Sequence, residues 1–546
     1  MPRSVRIKDH WREQRLFMGR TLFATIAIAL LLLVVAGRLF WLQVVRHDYF
    51  ADLSQGNRAR TEPLPPDRGL IYDRRGAVLA ENTPAYQLEL TAEQVPDVAA
   101  TLKRLAAIGL LDAEQLPAIE RLIKSSRKFE AVPLRLSLSD EDIASFAVRQ
   151  HDFPGVAIQA RLARWYPFAA EAVHALGYVA AISEEDLKRI DRDDYAGSSL
   201  IGKLGVEGSY EPQLHGTAGS RQVLVNAQGR QVDRLGGAAV KLATRAPRAG
   251  SDLILGLDMR VQRVAEQALA GRRGAVVALE PATGNIVALA SVPGFDPNKF
   301  TRGISGNEYV ALRDDIDRPL FNRALRGAYP PGSTVKPFMA LAGLEYAAIA
   351  PDTSRYCRGY FTLPGSSRRF RDWKKDGHGA VDMRKAIQTS CDVYFFALAD
   401  LLGIDRVHEA LTGLGFGKLT GIDIGGERPG LVPSAEWKRQ TYKQAWFPGE
   451  TVIVGIGQGY LLATPLQLAH AAAMVATRGR NVRPRLVTAI RDASSGQVRQ
   501  LPPEIEGQLQ MDPQNWEVII DGMVRSTETG GTAVAAAHGA GYTIAG

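Results

Sequence analysis

Between Thr21 and Val45 the chain carries a single charge, Arg38, in text otherwise dominated by Leu, Ile, Ala, Val and Phe, with Trp41 near its end. About twenty such residues are what a helix needs to cross a hydrocarbon layer. A cation near the end of the run can extend its head to the interface, where an indole also sits well. Ahead of it stand Arg3, Arg6, Lys8, Arg12, Arg15 and Arg20 against only Asp9 and Glu13. By the positive-inside rule residues 1–20 form a cytoplasmic tail, residues 21–45 a single transmembrane helix, and everything after about residue 46 lies on the far side. A cleaved signal peptide is the competing reading; the run is long for one, and no small-x-small cleavage site follows it. The remainder must fold as a water-exposed body tethered at its N-terminal end.

A chain of 546 residues is too long for one ordinary core, and 46% hydrophobic with 23% charged residues is a globular balance. The formal charge of +8 is mild, and no dense basic run interleaved with aromatics occurs, which excludes nucleic acid as the partner. Only Cys357 and Cys391 carry thiols, so a disulfide-dense scaffold is excluded as well.

Beyond Gly56-Asn57-Arg58, Pro65-Pro66 ends a linker, and the alternation turned at Arg75-Gly76 predicts a hairpin. Helical periodicity follows from about 95 to 150 through Leu102, Leu105, Leu110 and Leu111, then strands around Gly155–Pro167. A helical segment at Ile201–Glu211 and strands rich in Val and Gln reach to about residue 245. No nucleophile constellation appears, so residues 46–250 read as an elongated mixed α/β pedestal for interaction. After a break at Arg248–Ser251 come a strand, a helix patterned on Val261, Val264 and Leu269, and two apolar runs between 274 and 290 around a Pro and Gly turn. That hairpin implies an antiparallel sheet with flanking helices, making residues 251–546 an α+β domain.

The chemistry concentrates at Tyr329-Pro-Pro-Gly-Ser-Thr-Val-Lys336. Ser333 and Lys336 are three apart, so on a helix they share a face, and a lysine relieved of its proton can serve a serine as general base. The Pro-Pro-Gly turn suits a helix start whose free N–H groups face an oxyanion. Cys357, Asp372, His378 and Cys391, clustered in one short stretch, are donor types zinc accepts, with a Cys357–Cys391 disulfide or two unrelated thiols as alternatives.

Together, these motifs resemble the class B penicillin-binding transpeptidases. The SxxK segment preceded by Asn322-Arg323-Ala324 carries the resemblance, as do Pro66–Asp73, Gly205-Val206-Glu207, the hairpin at 274–290, Thr420–Asp423, Gly457-Gln458-Gly459 and Thr464–Gln467. Ser390-Cys391-Asp392 stands where the family usually has SxN, a departure that resembles the rod-elongation branch. The resemblance implies a dimerisation-type pedestal, a penicillin-binding or β-lactamase-like transpeptidase domain and an inner-membrane location. It implies Ser333 as nucleophile, Lys336 as base, Ser390 as proton relay and Asp392 as the group that orients it. It implies peptidoglycan stem peptides as substrates, β-lactams as acylating ligands and a glycan-polymerising membrane partner. It also implies a metal set at Cys357, Asp372, His378 and Cys391, with the first position usually Asp. A β-lactam sensor or hydrolase on the same fold, and a non-catalytic scaffold, are the rival functions. The family's third motif, Lys-Thr-Gly, is expected to follow where this chain ends, at Tyr542–Gly546.

Overall fold

A computed structural model describes residues 10–46, 59–129, 131–224 and 243–546. Much of the expected cytoplasmic tail, the linker at Gly56-Asn57-Arg58 and part of the Val- and Gln-rich stretch lie outside them. The chain divides into two compact units, residues 1–64 with 219–246, and residues 65–218 with 247–546. In the first, His10–Phe40 forms one helix, and Gln14–Val45 is long and apolar enough to cross a membrane. Strands Ala59–Leu64, Gly219–Leu224 and Thr244–Arg245 form a separate antiparallel sheet.

The second unit is built on a seven-stranded sheet. The predicted hairpin at Arg75-Gly76 joins β1 (Ile71–Tyr72) to β2 (Val78–Thr91), with Gly76 at φ +90° as such a turn requires. The long β2 also pairs β3 (Ala131–Arg135) and β4 (Val156–Trp165). Helices α1 (Val98–Ala107), α2 (Leu116–Ser125) and α3 (Asp140–Arg149) accompany them, and Leu102, Leu105, Leu110 and Leu111 are buried beneath. The helical span expected from 95 to 150 is thus interrupted by β3, whose Val132 and Leu134 point into the same core.

The segment expected as one helix over 201–211 begins as the end of a strand, Leu200–Gly202, and continues into two short helices, α4 (Gly205–Ser209) and α5 (Glu211–His215). β5 (Asp252–Leu255) then joins the sheet parallel to β1 and antiparallel to β12 (Val487–Arg491), which pairs β13 (Val498–Gln500). Residues on both sides of 250/251 lie in one compact unit. Gly250 N–H donates to Asp67 O at 2.8 Å, and a Cβ on Gly69 would stand 1.9 Å from Ser251 O, so the two stretches interlock at backbone contact.

Helix α6 (Met259–Ala268) forms as expected but buries Met259, Gln262 and Ala265, leaving Val261 and Val264 exposed. Gln262 is inside because its amide closes two hydrogen bonds to Leu289, accepting from N–H at 2.8 Å and donating to O at 3.1 Å. The expected hairpin is present as β6 (Gly274–Leu279) and β7 (Ile286–Val292). The helical core holds α7 (Lys336–Glu345), α8 (Met383–Gln388), α9 (Asp392–Gly413), α10 (Pro465–Ala476) and α11 (Pro513–Ser526). Between α7 and α8 lie β8 (Arg355–Cys357) paired with β11 (Gly379–Val381), and β9 (Tyr360–Phe361) paired with β10 (Phe370–Arg371).

Candidate active site

The turn bearing Ser333 is set by its own sequence and by a loop behind it. Gly332–Val335 forms a 3-10 turn, and the Thr334 hydroxyl donates to Pro331 O at 2.7 Å. Gly332 N–H donates to Gly457 O at 2.9 Å. Gly457 sits at φ +75°, and a Cβ there would meet Gly332 O at 2.1 Å; only glycine lets this loop reach the nucleophile turn. The Ser333 side chain is exposed, while α7 begins three residues later with Lys336 at 2% exposure.

A buried ammonium must be satisfied. Lys336 Nζ donates to Asp392 Oδ1 at 2.6 Å, Ser390 O at 2.8 Å and Ser390 Oγ at 3.0 Å, which uses all three of its N–H groups. The structure thus brings Lys336, Ser390 and Asp392 together. Among the described residues, the Ser333 hydroxyl stands outside this network, on the solvent side of the turn.

Ser390 owes its place to the end of α8. Cys391 N–H reaches back to Ala386 O at 2.9 Å and Ser390 N–H to Ile387 O at 3.1 Å, the paired bonds of a Schellman ending. The residue in the left-handed position is Ser390, at φ +52°, where glycine is the default. Asp392 opens α9, where a helix N-terminus favours negative charge.

One contributor escaped sequence reasoning. Trp373 N–H donates to Asp392 Oδ2 at 3.2 Å, and its indole N–H donates to Thr389 O at 3.2 Å and Ser390 O at 3.1 Å. Nothing in a lone Asp-Trp pair announces this; the signal was only its adjacency to Asp372.

Cys357, Asp372, His378 and Cys391 converge, with one ligand atom from each lying within 4.8 Å of the others. Both cysteines are buried and free, so the disulfide alternative is not formed. Donors about 2.0–2.3 Å from a tetrahedral zinc stand roughly 3.3–3.8 Å apart. Asp372 Oδ2 lies 3.5 Å from each sulfur, and His378 Nδ1 lies 3.6 Å from Cys357 Sγ and from Asp372 Oδ1, separations of the order such a site needs. Burial, with Asp372 and Cys357 beside it, pushes the Cys391 thiol well above the usual range. A nearby cation is what such a sulfur needs to become a thiolate ligand. Asp372 also accepts Val393 N–H at 3.0 Å, tying the cluster to the first turn of α9.

Comparison with known proteins places this geometry in context. The family described as penicillin binding protein transpeptidase domain matches residues 274–546, and penicillin-binding protein dimerisation domain matches residues 63–255. The chain is 43% identical over 532 residues to peptidoglycan D,D-transpeptidase MrdA of Acinetobacter baumannii, covering 97% of this chain and 78% of that one. It superposes on Pseudomonas aeruginosa PBP2 in complex with WCK 5153 with a TM-score of 0.67 and 37% identity, covering 89% and 85% of the two chains. For PBP2 in its complex with MreC from Helicobacter pylori, the TM-score is 0.75 at 28% identity, covering 89% and 88%.

Proposed function

The chain belongs to the penicillin-binding protein transpeptidases, and from that membership we infer that it is a peptidoglycan D,D-transpeptidase working through a serine acyl-enzyme. The observation that carries the inference is the Lys336 ammonium held between Ser390 and Asp392 at the start of the helix that follows an exposed Ser333. Ser333 Oγ attacks the penultimate D-Ala carbonyl of a stem peptide, and the bond to the terminal D-Ala breaks. The hydroxyl proton passes to Lys336 once that amine has given one up, and Ser390 Oγ hands a proton on to the departing amine. An amine from a neighbouring strand then attacks the ester and releases Ser333, forming the crosslink. Asp392 keeps Lys336 and Ser390 in register, and the N–H of Ser333 stabilises the oxyanion. A β-lactam ring opens on the same hydroxyl. A fluorescent penicillin is expected to label Ser333 covalently. Ser333→Ala removes the label, and Lys336→Ala slows acylation by about a hundredfold or more. A label that survives Ser333→Ala overturns the assignment.

The buried Cys357, Asp372, His378 and Cys391 would hold one structural zinc ion, whose positive charge would stabilise the two thiolates at the base of the loop carrying Ser390. Its expected signature is one equivalent of zinc by elemental analysis, lost in Cys391→Ser; a metal-free protein with two titratable thiols removes it. The N-terminal apolar helix supports a single-pass inner-membrane anchor with the bulk periplasmic and the tail cytoplasmic. The dimerisation-type domain and the MreC complex of the Helicobacter relative support a pedestal that engages protein partners during cell-wall elongation, a glycan polymerase among them.

A further inference from the structure

The β9–β10 arm is the most strongly charged surface element near the site. Between residues 358 and 376 the exposed cations are Arg358, Arg368, Arg369, Arg371, Lys374 and Lys375, and the exposed acids are Asp376 alone. Among the described residues none of these six is in an ion pair, although Arg and Lys elsewhere in the chain repeatedly are. The arm holds its charges in place. Arg358 and Arg369 each lie 4.5 Å from the Tyr360 ring centroid, and Arg368 lies 5.1 Å from that of Phe370.

It is also fixed to the catalytic helix. Phe361 and Phe370 pack on Phe396 of α9, with ring centroids 6.4 and 5.8 Å apart, and Asp372 N–H donates to Gly359 O at 2.9 Å across the arm's base. The strand that leaves the arm runs directly into Trp373, whose N–H holds Asp392. A set of cations without ion-pair partners, joined to the segment that holds Asp392, raises the local concentration of anionic substrate there.

We propose that this arm is a binding surface for the side carboxylates of the stem peptide, drawing an anionic peptide strand toward Ser333. The proposal rests on the transpeptidase reading and adds to it a specificity element outside the SxxK and SxD motifs. A stem peptide with free side carboxylates supplies the charge that the arm lacks, and exposed pairs of this kind act mainly on encounter and on discrimination between substrates.

The test measures binding of stem-peptide-bearing glycan fragments to the full chain. Fragments with free side carboxylates are compared with fragments in which these are amidated and the terminal carboxylate is left free. The wild-type chain is expected to prefer the free form by about tenfold at low salt, with the preference shrinking as ionic strength rises. In Arg358→Gln/Arg369→Gln/Lys374→Gln/Lys375→Gln the preference falls toward unity. Arg368→Gln/Arg371→Gln, which spares the Tyr360 stack, lowers it part of the way. An equal preference in wild type and both variants overturns the proposal, as does a wild type that does not distinguish the fragments. Arm-dependent binding to phosphatidylglycerol vesicles without a peptide preference assigns the surface to lipid instead. Penicillin labelling of the wild-type chain keeps the two readings apart. No label at Ser333 removes the transpeptidase reading, whereas a labelled chain without the carboxylate preference removes only the arm's role.

Discussion

Ser390 shows how chemistry and backbone compete for one position. The end of α8 requires a left-handed residue, which suits glycine, yet the site needs a hydroxyl within reach of Lys336. A left-handed conformation costs a non-glycine residue roughly 1–2 kcal/mol. Ser390→Gly is therefore expected to be more stable than Ser390→Ala by about 1 kcal/mol in urea unfolding. Both variants should lose the relay and acylate slowly. Equal stability of the two would mean that the turn carries no strain. The Ser-Cys-Asp triplet was legible as a motif only through the family resemblance; its strained place at a helix end was not legible, because the residue type gives no sign of the left-handed position that the bonds to Ala386 and Ile387 impose.

At the scale of elements, helices and hairpins follow the sequence pattern, while the faces they bury do not always. Helix α6 is a case in which a glutamine replaces an apolar side chain inside, because the backbone of β7 offers a donor and an acceptor to be satisfied. Val261 and Val264, which set the helical pattern in the sequence, stay on the solvent side. The loop at Gly457 is the opposite case, since its glycines were noticed as text and their reason is a contact. Gly457→Ala drives a methyl into the Gly332 carbonyl and forces a left-handed residue, so the chain should lose about 1–3 kcal/mol of stability. Penicillin acylation should slow by about a hundredfold, since the displaced segment carries Ser333. An unchanged acylation rate would show that the turn moves without consequence.

At the scale of the second unit, one buried network holds residues 68–207 together, and one tyrosine ties that region to residues beyond 420. Glu207, fully buried on α4, accepts from Arg164 at 2.7 Å and Arg68 at 2.8 Å, while Arg164 also donates to Gly69 O. Tyr210 donates to Asp423 at 2.9 Å, and Asp423 accepts two N–H groups at the start of β12. Burial by itself would raise the Glu207 carboxyl, but Arg164 and Arg68 outweigh it and hold the group below its usual range. A carboxylate depressed in this way stabilises the fold above its unfolded titration, roughly pH 4, and that stability is lost as pH falls through the folded value. Glu207→Gln is expected to cost about 3–5 kcal/mol at neutral pH, because two guanidinium groups stay buried without their anion. The variant should also show a shallower loss of stability below pH 4 than the parent in thermal unfolding. A parallel pH profile in the two proteins would assign the acid sensitivity elsewhere.

Composition along a short stretch was enough to find the long apolar run near the N-terminus and a group of residues of zinc-binding type around Asp372. The roles read for Ser333, Lys336, Ser390 and Asp392, and the order of the two regions, came from the resemblance of several ordered motifs to one family, and the family regions match in that order. Only the tertiary structure decided that residues 65–218 share one sheet with β5 and β12. It alone showed that Lys336 turns to Ser390 and Asp392 instead of Ser333, and that Trp373 holds the groups behind it. These depend on contacts between residues far apart in the chain, made where a buried ammonium, carboxylate or backbone group must find a partner.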